Sequence, residues 1–142
     1  MTPEQLASVR RTAVLVEQAL ERCAGCFYDD LFDRHPPARR LFADDLLVPG
    51  NTLLDDLLAL VRAADDLDGF VAQARALGLR HQRRGLHAAD YAFVGEALLA
   101  AIAAVIGDRW TSGVEASWHR MYALIAEAML EGAEDGLFSG SD

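Results

Sequence analysis

Residues 77–99 read LGLRHQRRGLHAADYAFVGEALL, and the predicted fold depends on how this stretch is interpreted. His81 follows an apolar helical series that ends near Leu77, and a second amphipathic helix begins after Gly85, around Tyr91. A histidine on an apolar helix face is more often a packed core residue than a ligand-binding one. Where two helices diverge, however, an imidazole faces open space and is suited to hold a ligand. The rest of the sequence has to decide between these two interpretations.

The composition of the 142-residue chain indicates a single helical domain. Hydrophobic residues make up 52% of the chain, with only 4 prolines, which favours helices over strands. The sequence has no uninterrupted apolar run of about 18 residues, so no membrane span is predicted. The N-terminus lacks the pattern of a signal peptide, so we expect a cytoplasmic protein. A net charge of −9 argues against a nucleic-acid partner, because phosphates would be repelled.

Apolar residues at helical spacing predict six or seven helices and no strands, which is an all-α fold. Residues 2–5, TPEQ, form a capping box that begins the first helix. The sequence HPP at 35–37 ends a helical stretch, because proline and the residue before it resist helix. A short helical turn to Phe42, a helix beginning near Pro49 and a last helix ending near Gly132 complete the prediction.

Two sequence motifs resemble a redox site and a metal site, but each is better interpreted as a structural element. Cys23 and Cys26 form C-x-x-C, but a redox pair normally opens a helix after a strand, and no strand is predicted here. We interpret them as small apolar residues of a helix. Residues 65–69, DDLDG, resemble a calcium loop, but Ala64 occupies the first ligand position and Arg75 the twelfth. This segment is therefore predicted to be a solvated connector.

Of the four histidines, only His81 lies among apolar residues on a helix that faces the predicted core. The other three, His35, His87 and His119, are spaced too irregularly to complete a zinc site. A single histidine can, however, serve as an axial ligand of haem, because the macrocycle supplies four further donors.

Five blocks of the sequence are TPEQLASVRRT, FYDDLFDRHPPARRLF, RHQRRGLHAADYAFVGEALL, GDRWT and SWHRMYALIAEAM. Together they resemble the globin module of bacterial flavohaemoglobins and single-domain bacterial haemoglobins, from Thr2 to about Met129. The spacing between the blocks matches as well. The resemblance implies a globin fold, with six to eight helices around a haem b pocket. It implies one globin domain over residues 1–142, with mobile termini at 1–2 and 134–142.

The resemblance also implies roles for individual residues. His81 matches the proximal iron ligand, and Phe42 matches the phenylalanine that packs against the porphyrin. Tyr28 matches the distal tyrosine that donates to iron-bound oxygen, and Tyr91 matches a tyrosine that hydrogen-bonds toward the proximal histidine. Leu53 matches the apolar residue over the distal face. Further haem contacts are expected from apolar residues on the same helix faces, namely Leu57, Leu77 and Val94.

Two positions depart from the family pattern. The distal glutamine position falls on Pro49, which has no side-chain donor, so the second donor is absent or is replaced by Asn51 or Thr52. The glutamate on the last helix falls on Ala133, with Glu131 nearby but out of register. Without that carboxylate the proximal imidazole has less support for O–O bond activation. From the residues alone, Tyr28 could equally be a core aromatic with its hydroxyl on a backbone carbonyl.

No glycine-rich phosphate loop for a reductase cofactor occurs in the sequence, so the predicted electron donor is a separate reductase. The leading prediction is a haem globin that binds O₂, NO and CO, serves in oxygen transport, and turns over nitric oxide when electrons are supplied. Enzymatic activity stays open at this point, and so does the oligomeric state. The alternatives are a haem-based gas or redox sensor and a haem-free globin-fold interaction module. The joint presence of His81, Phe42 and Tyr28 argues against the last.

Overall fold

The computed structural model describes residues 1–41, 52–83 and 86–139, and all regular structure in these ranges is helical. The elements are α1 (Pro3–Gln18), α2 (Leu20–Arg34), a 3₁₀ helix (Pro36–Leu41), α3 (Thr52–Ala63), α4 (Leu67–Arg83), α5 (Ala88–Ile106), a 3₁₀ turn (Gly107–Arg109) and α6 (Ser112–Ser139). The predicted all-α fold is confirmed. The predicted helix start near Pro49 lies outside the described residues.

Local capping signals set several helix boundaries. At the start of α1, the Gln5 N–H donates to the Thr2 hydroxyl at 3.1 Å, and the Thr2 N–H donates to the Gln5 side chain at 3.0 Å. This is the predicted capping box. α2 ends at Arg34, as the two prolines after His35 predicted. α5 ends at Ile106, and the residue that caps it, Gly107, has a φ of 65°, a conformation that glycine adopts without strain.

α4 and α6 cross so closely that their backbones are in contact. A Cβ atom at Gly78 of α4 would overlap the backbone of Met129, and one at Gly132 of α6 would overlap the backbone of Arg75. Each helix therefore presents a glycine to the main chain of the other. The predicted helix end near Gly132 is wrong, because α6 continues to Ser139. Gly132 is explained by the helix crossing rather than by a helix end.

α5 is the central helix of the core and packs against α1, α2 and α6. Residues 88–109 are long and apolar enough to cross a membrane, with a mean hydropathy of 1.8 over the best window. However, 56% of that window is buried inside the fold. A core helix of a soluble protein has the same composition, so this is weak support for a membrane span. Packing in the core accounts for the apolar character of α5.

A buried hydrogen bond joins the first helix, α1, to the last helix, α6. The indole N–H of Trp118 on α6 donates to the hydroxyl of Thr12 on α1 at 2.8 Å. The same hydroxyl donates to the carbonyl of Ser8 at 2.8 Å, so both buried polar groups are satisfied. Trp118 is 1% exposed, and this bond fixes α6 against α1.

Candidate functional site

An apolar cavity lies between α3, α4, α5 and α6. Its lining consists of Leu53, Asp56, Leu57, Leu60, Leu77, His81, Leu86, Tyr91, Val94, Leu98, Tyr122, Ile125 and Met129. The cavity has a volume of about 60 Å³. The space is therefore a narrow slot. Its described walls are aliphatic apart from one carboxyl group, one imidazole and two phenols.

The structure brings six of the eight predicted site residues to this cavity. They are Leu53, Leu57, Leu77, His81, Tyr91 and Val94. The remaining two are not placed there. Tyr28 does not line the cavity, and Phe42 lies outside the described residues. The placement of the six residues agrees with the helix faces predicted from periodicity, whereas their roles toward a cofactor stay predictions.

His81 lies in the last turn of α4, one turn after Leu77, so both side chains are on the same helix face. The residue is half-buried, and its Nδ1 atom is shielded from solvent. Its main-chain carbonyl accepts the N–H of Leu86 at 3.0 Å, which ties the last turn of α4 to a residue two positions before α5. One imidazole in an aliphatic slot suits the axial position of haem iron. A zinc site would require three or four ligands.

Two tyrosines, on α5 and α6, line the cavity. The hydroxyl of Tyr122 on α6 donates to the main-chain carbonyl of Tyr91 on α5 at 2.6 Å. Gly95 makes room for this contact, because a Cβ atom there would overlap the Tyr122 ring. Burial, with a contribution from the Asp90 carboxylate, raises the pKa of Tyr91 from 10.0 to about 12. Burial, with a smaller contribution from Tyr91, also raises the pKa of Tyr122, so both hydroxyls are neutral donors at pH 7.

Tyr122 was not among the predicted site residues. It shares a face of the last helix with Trp118, Met121 and Ile125, and this pattern predicted a core position. The available signal was the polar hydroxyl itself, since a buried tyrosine needs a hydrogen-bond partner. That partner, a carbonyl 31 residues away, cannot be found from local spacing.

Asp56 on α3 is a second residue that the sequence pattern misplaced. In the sequence, apolar residues of this segment recur on one helix face, which predicts that Asp55 and Asp56 both point outward. In the structure, however, Asp56 lines the cavity. It lies three residues after Leu53, so the two share a helix face. Burial raises the pKa of the Asp56 carboxyl, while the charge of Arg80 on α4 lowers it and that of Asp55 raises it. The prediction for Asp55, which is exposed, is confirmed.

Tyr28 is half-buried on α2, within an aromatic group outside the cavity lining. Its ring stacks on Phe32 with 6.0 Å between centroids and meets Phe27 edge-on at 5.1 Å. The guanidinium of Arg39 lies 4.6 Å from the centroid of Phe32. These contacts fix the ring plane of Tyr28. The segment that was predicted to supply a second distal donor, residues 49–52, begins outside the described residues.

Arg75, Arg80 and Arg84 are candidates for contacts to haem propionates, although a charged residue near a helix end is more often simply solvated. Arg75 pairs with Glu131 at 2.7 Å, and both side chains are substantially exposed. Glu131 is therefore held at the surface of the α4–α6 crossing. Arg80 lies near enough to Asp56 to affect its pKa, and Arg84 lies outside the described residues.

The C-x-x-C cysteines lie within α2, and both are free thiols. Cys23 is 0% exposed, and burial raises its pKa from 9.0 to about 12. The repulsion of Cys26 adds to this effect and Arg22 opposes it. The Cys23 thiol is therefore a protonated core group, as the sequence interpretation predicted for a small apolar residue.

Comparison with known proteins relates the chain to haem proteins of bacteria. A family model described as Globin matches residues 25–129. The flavohemoprotein of Bacillus subtilis is 26% identical over 137 residues, covering 94% of this chain and 34% of the relative. The flavohemoprotein of Deinococcus radiodurans is 28% identical over 141 residues, covering 97% and 35%. The chain therefore spans about a third of the length of the curated relatives it matches.

Solved structures share the architecture. An engineered carbene transferase, made from a Rhodothermus marinus protein proposed to be a nitric oxide dioxygenase, superimposes with a TM-score of 0.85 at 25% identity, covering 100% of this chain and 99% of that one. A bacterial globin from Campylobacter jejuni gives a TM-score of 0.77 at 20% identity, covering 97% and 99%. The second likeness, at this identity, shows the fold alone. The predicted globin fold is confirmed.

Proposed function

The chain belongs to the globin family, and we propose that it binds haem b in the cavity between α3, α4, α5 and α6, with His81 as the iron ligand. One observation carries the proposal. His81 is the only imidazole along the described lining of a mostly aliphatic slot. The curated relatives are flavohemoproteins, which supports haem as the cofactor.

The residues present fit this group. A haem needs a neutral imidazole on one face and apolar walls around a flat ring. Leu53 and Leu57 on α3, Leu77 on α4 and Val94 on α5 provide such walls. Haem, when bound, supplies an iron centre for diatomic gases such as O₂, NO and CO. The protein contributes the imidazole, the dry surroundings and the hydrogen-bond donors.

Each side chain then has a separate task. His81 holds the cofactor, and the aliphatic walls exclude water, which strengthens any single hydrogen bond in the slot. Tyr122 holds the main chain at Tyr91 by its 2.6 Å hydrogen bond and so fixes the wall beside the histidine. Tyr28 is proposed to donate a hydrogen bond to the gas ligand; because it does not line the described cavity, this role rests on its match to the distal tyrosine of the family.

The proposed activity is reversible dioxygen binding, with conversion of nitric oxide to nitrate when a separate reductase supplies electrons. The likeness to the Rhodothermus marinus protein, itself proposed to be a nitric oxide dioxygenase, supports the second part. A role in oxygen transport and a cytoplasmic location belong to the same proposal. The net charge of −9 supports the expectation that neither nucleic acid nor an anionic membrane surface is a partner.

The Tyr28→Phe variant tests the gas-binding proposal. Removal of the hydroxyl is expected to raise the oxygen dissociation rate at least about 10-fold, because a hydrogen bond to a charged acceptor contributes about 1.5–3 kcal/mol. Stopped-flow replacement of oxygen by CO measures this rate in the haem-loaded protein. The CO dissociation rate is the internal control and should change less, since bound CO is the poorer acceptor. An unchanged oxygen rate would show that another group is the donor.

Nitric oxide consumption tests the enzymatic proposal. With oxygen and an external electron donor, the haem-loaded protein is expected to consume nitric oxide continuously, at a rate that rises with donor concentration. A nitric oxide electrode follows the reaction, and nitrate is measured at its end. The His81→Ala variant is the control and should not exceed buffer. A single turnover that does not respond to the donor would favour a carrier or a sensor over an enzyme.

A further inference from the structure

A set of polar contacts outside the cavity joins α5 to the 3₁₀ helix. Asp90, the third residue of α5, has a side chain that is only 3% exposed. Its Oδ1 atom accepts a hydrogen bond from Nη2 of Arg40 at 2.6 Å, and its Oδ2 atom accepts the main-chain N–H of His87 at 2.8 Å. We name Asp90, Arg40 and His87 the Asp90 junction. A buried carboxylate is stable only when it is paired in this way.

The junction connects the residues that follow His81 to the 3₁₀ helix, which precedes Phe42 in the sequence. Arg40 is in the 3₁₀ helix, two residues before Phe42, the predicted porphyrin contact. On the other side, His87 directly follows Leu86, which lines the cavity and donates its N–H to the carbonyl of His81 at 3.0 Å. A path of hydrogen bonds therefore leads from the peptide of the proposed iron ligand to the segment that precedes Phe42.

A simpler interpretation is that Asp90 only caps α5. An aspartate at the third helical position is a common cap and needs only the N–H of His87. It does not need an arginine that is 50 residues away in the sequence. The neighbouring Arg39 is placed over Phe32, so the two arginines of the 3₁₀ helix have different partners. The Arg40 contact thus does more than satisfy the helix end, because it fixes the distance between two elements.

We propose that Asp90 and Arg40 are positioning residues for haem retention, acting by holding the segment before Phe42 at a fixed distance from the His81 side of the cavity. The proposal rests on haem binding as the function of the cavity. Neither residue lines the cavity, so the effect passes through the 3₁₀ helix and the start of α5. A change at either residue should therefore increase the rate of haem loss without removing a contact to the cofactor.

Haem loss from the loaded protein to excess apomyoglobin tests the proposal. Asp90→Asn and Arg40→Ala are expected to lose haem about 10-fold faster than the unmodified chain, a size typical of residues that orient a ligand indirectly. Arg40→Lys should recover part of the loss. The matched control is Arg62→Ala, which removes an arginine–carboxylate pair of the same 2.6 Å length, with Glu17, on the exposed α1–α3 face. Equal rates in Arg40→Ala and Arg62→Ala would overturn the proposal.

A second measurement separates this proposal from haem binding itself. Hydrogen exchange of the haem-free protein is expected to become faster at residues 36–41 and 86–90 in Asp90→Asn and Arg40→Ala, but not in Arg62→Ala. If the unmodified chain takes up no haem, the proposed function fails and the exchange data alone judge the junction. Unchanged exchange at residues 36–41 would then show that Asp90 does not hold the 3₁₀ helix. Faster exchange with unchanged haem loss would overturn the role in retention.

Discussion

The His81→Ala variant is expected to lose stable haem binding, with the affinity lowered by more than about 100-fold. Changes in residues that only orient a metal ligand already cost about 10–100-fold, so removal of the ligand itself should cost at least as much. No second imidazole lines the described part of the cavity to take its place. The Soret absorbance of haem-loaded, desalted protein measures the loss. Free imidazole added to the variant should restore part of the band, because the space left by the side chain lies in an otherwise intact slot.

The control for this substitution is His119→Ala. His119 is exposed on α6, 3.7 Å from Glu115, and does not line the cavity. Its removal should leave the haem affinity unchanged. If His81→Ala retained the affinity of the unmodified chain, another residue would be the ligand, and the proposed geometry of the site would have to be abandoned.

The second large effect is expected from Gly78→Ala, which should lower the free energy of unfolding by about 3 kcal/mol, at the upper end of the usual cost of overpacking. The added methyl group would overlap the carbonyl and Cα of Met129. Because the opposing atoms belong to a helix backbone rather than to a flexible side chain, α4 and α6 must move apart. His81 follows Gly78 on α4, so haem affinity should fall as well. Urea unfolding of the haem-free protein measures the stability change.

Gly25→Ala provides the matched control for this prediction. Gly25 lies within α2, is exposed, and has no neighbouring atom within 4 Å of an added Cβ. Alanine is the better helix former by about 1 kcal/mol, so this variant should gain stability. If Gly78→Ala lowered the free energy of unfolding by less than about 1 kcal/mol, the close crossing would be contradicted. A methyl group that overlaps backbone atoms can cost so little only if the two helices separate freely.

The positions of His81, Leu77, Leu53 and Val94 at one cavity were predictable because the helical period determines which side chains share a face. The family resemblance added the expectation that these helix faces meet around one pocket. Asp56 was misplaced because its charge was given more weight than its helical position. It lies one turn after Leu53, which puts both residues on the same helix face. In that case the period was the better guide than the charge.

Contacts between distant parts of the chain were not predictable from local patterns. The Arg40–Asp90 pair joins residues that are 50 positions apart, and the bond from Tyr122 to the Tyr91 carbonyl joins residues 31 apart. Gly132 shows a related difficulty, because a glycine late in a helix indicates either an end or a close crossing. Only the position of α4 decides between the two. These features depend on tertiary packing rather than on residue spacing.

The central claim is that this chain is a globin that holds haem through His81, and a haemin titration of the unmodified protein tests it most directly. Haemin added stepwise to the purified haem-free chain, followed by reduction and CO, should produce a Soret band that rises linearly to one equivalent per chain. The band should shift when CO is admitted. A spectrum that stays that of free haemin throughout the titration would contradict the claim.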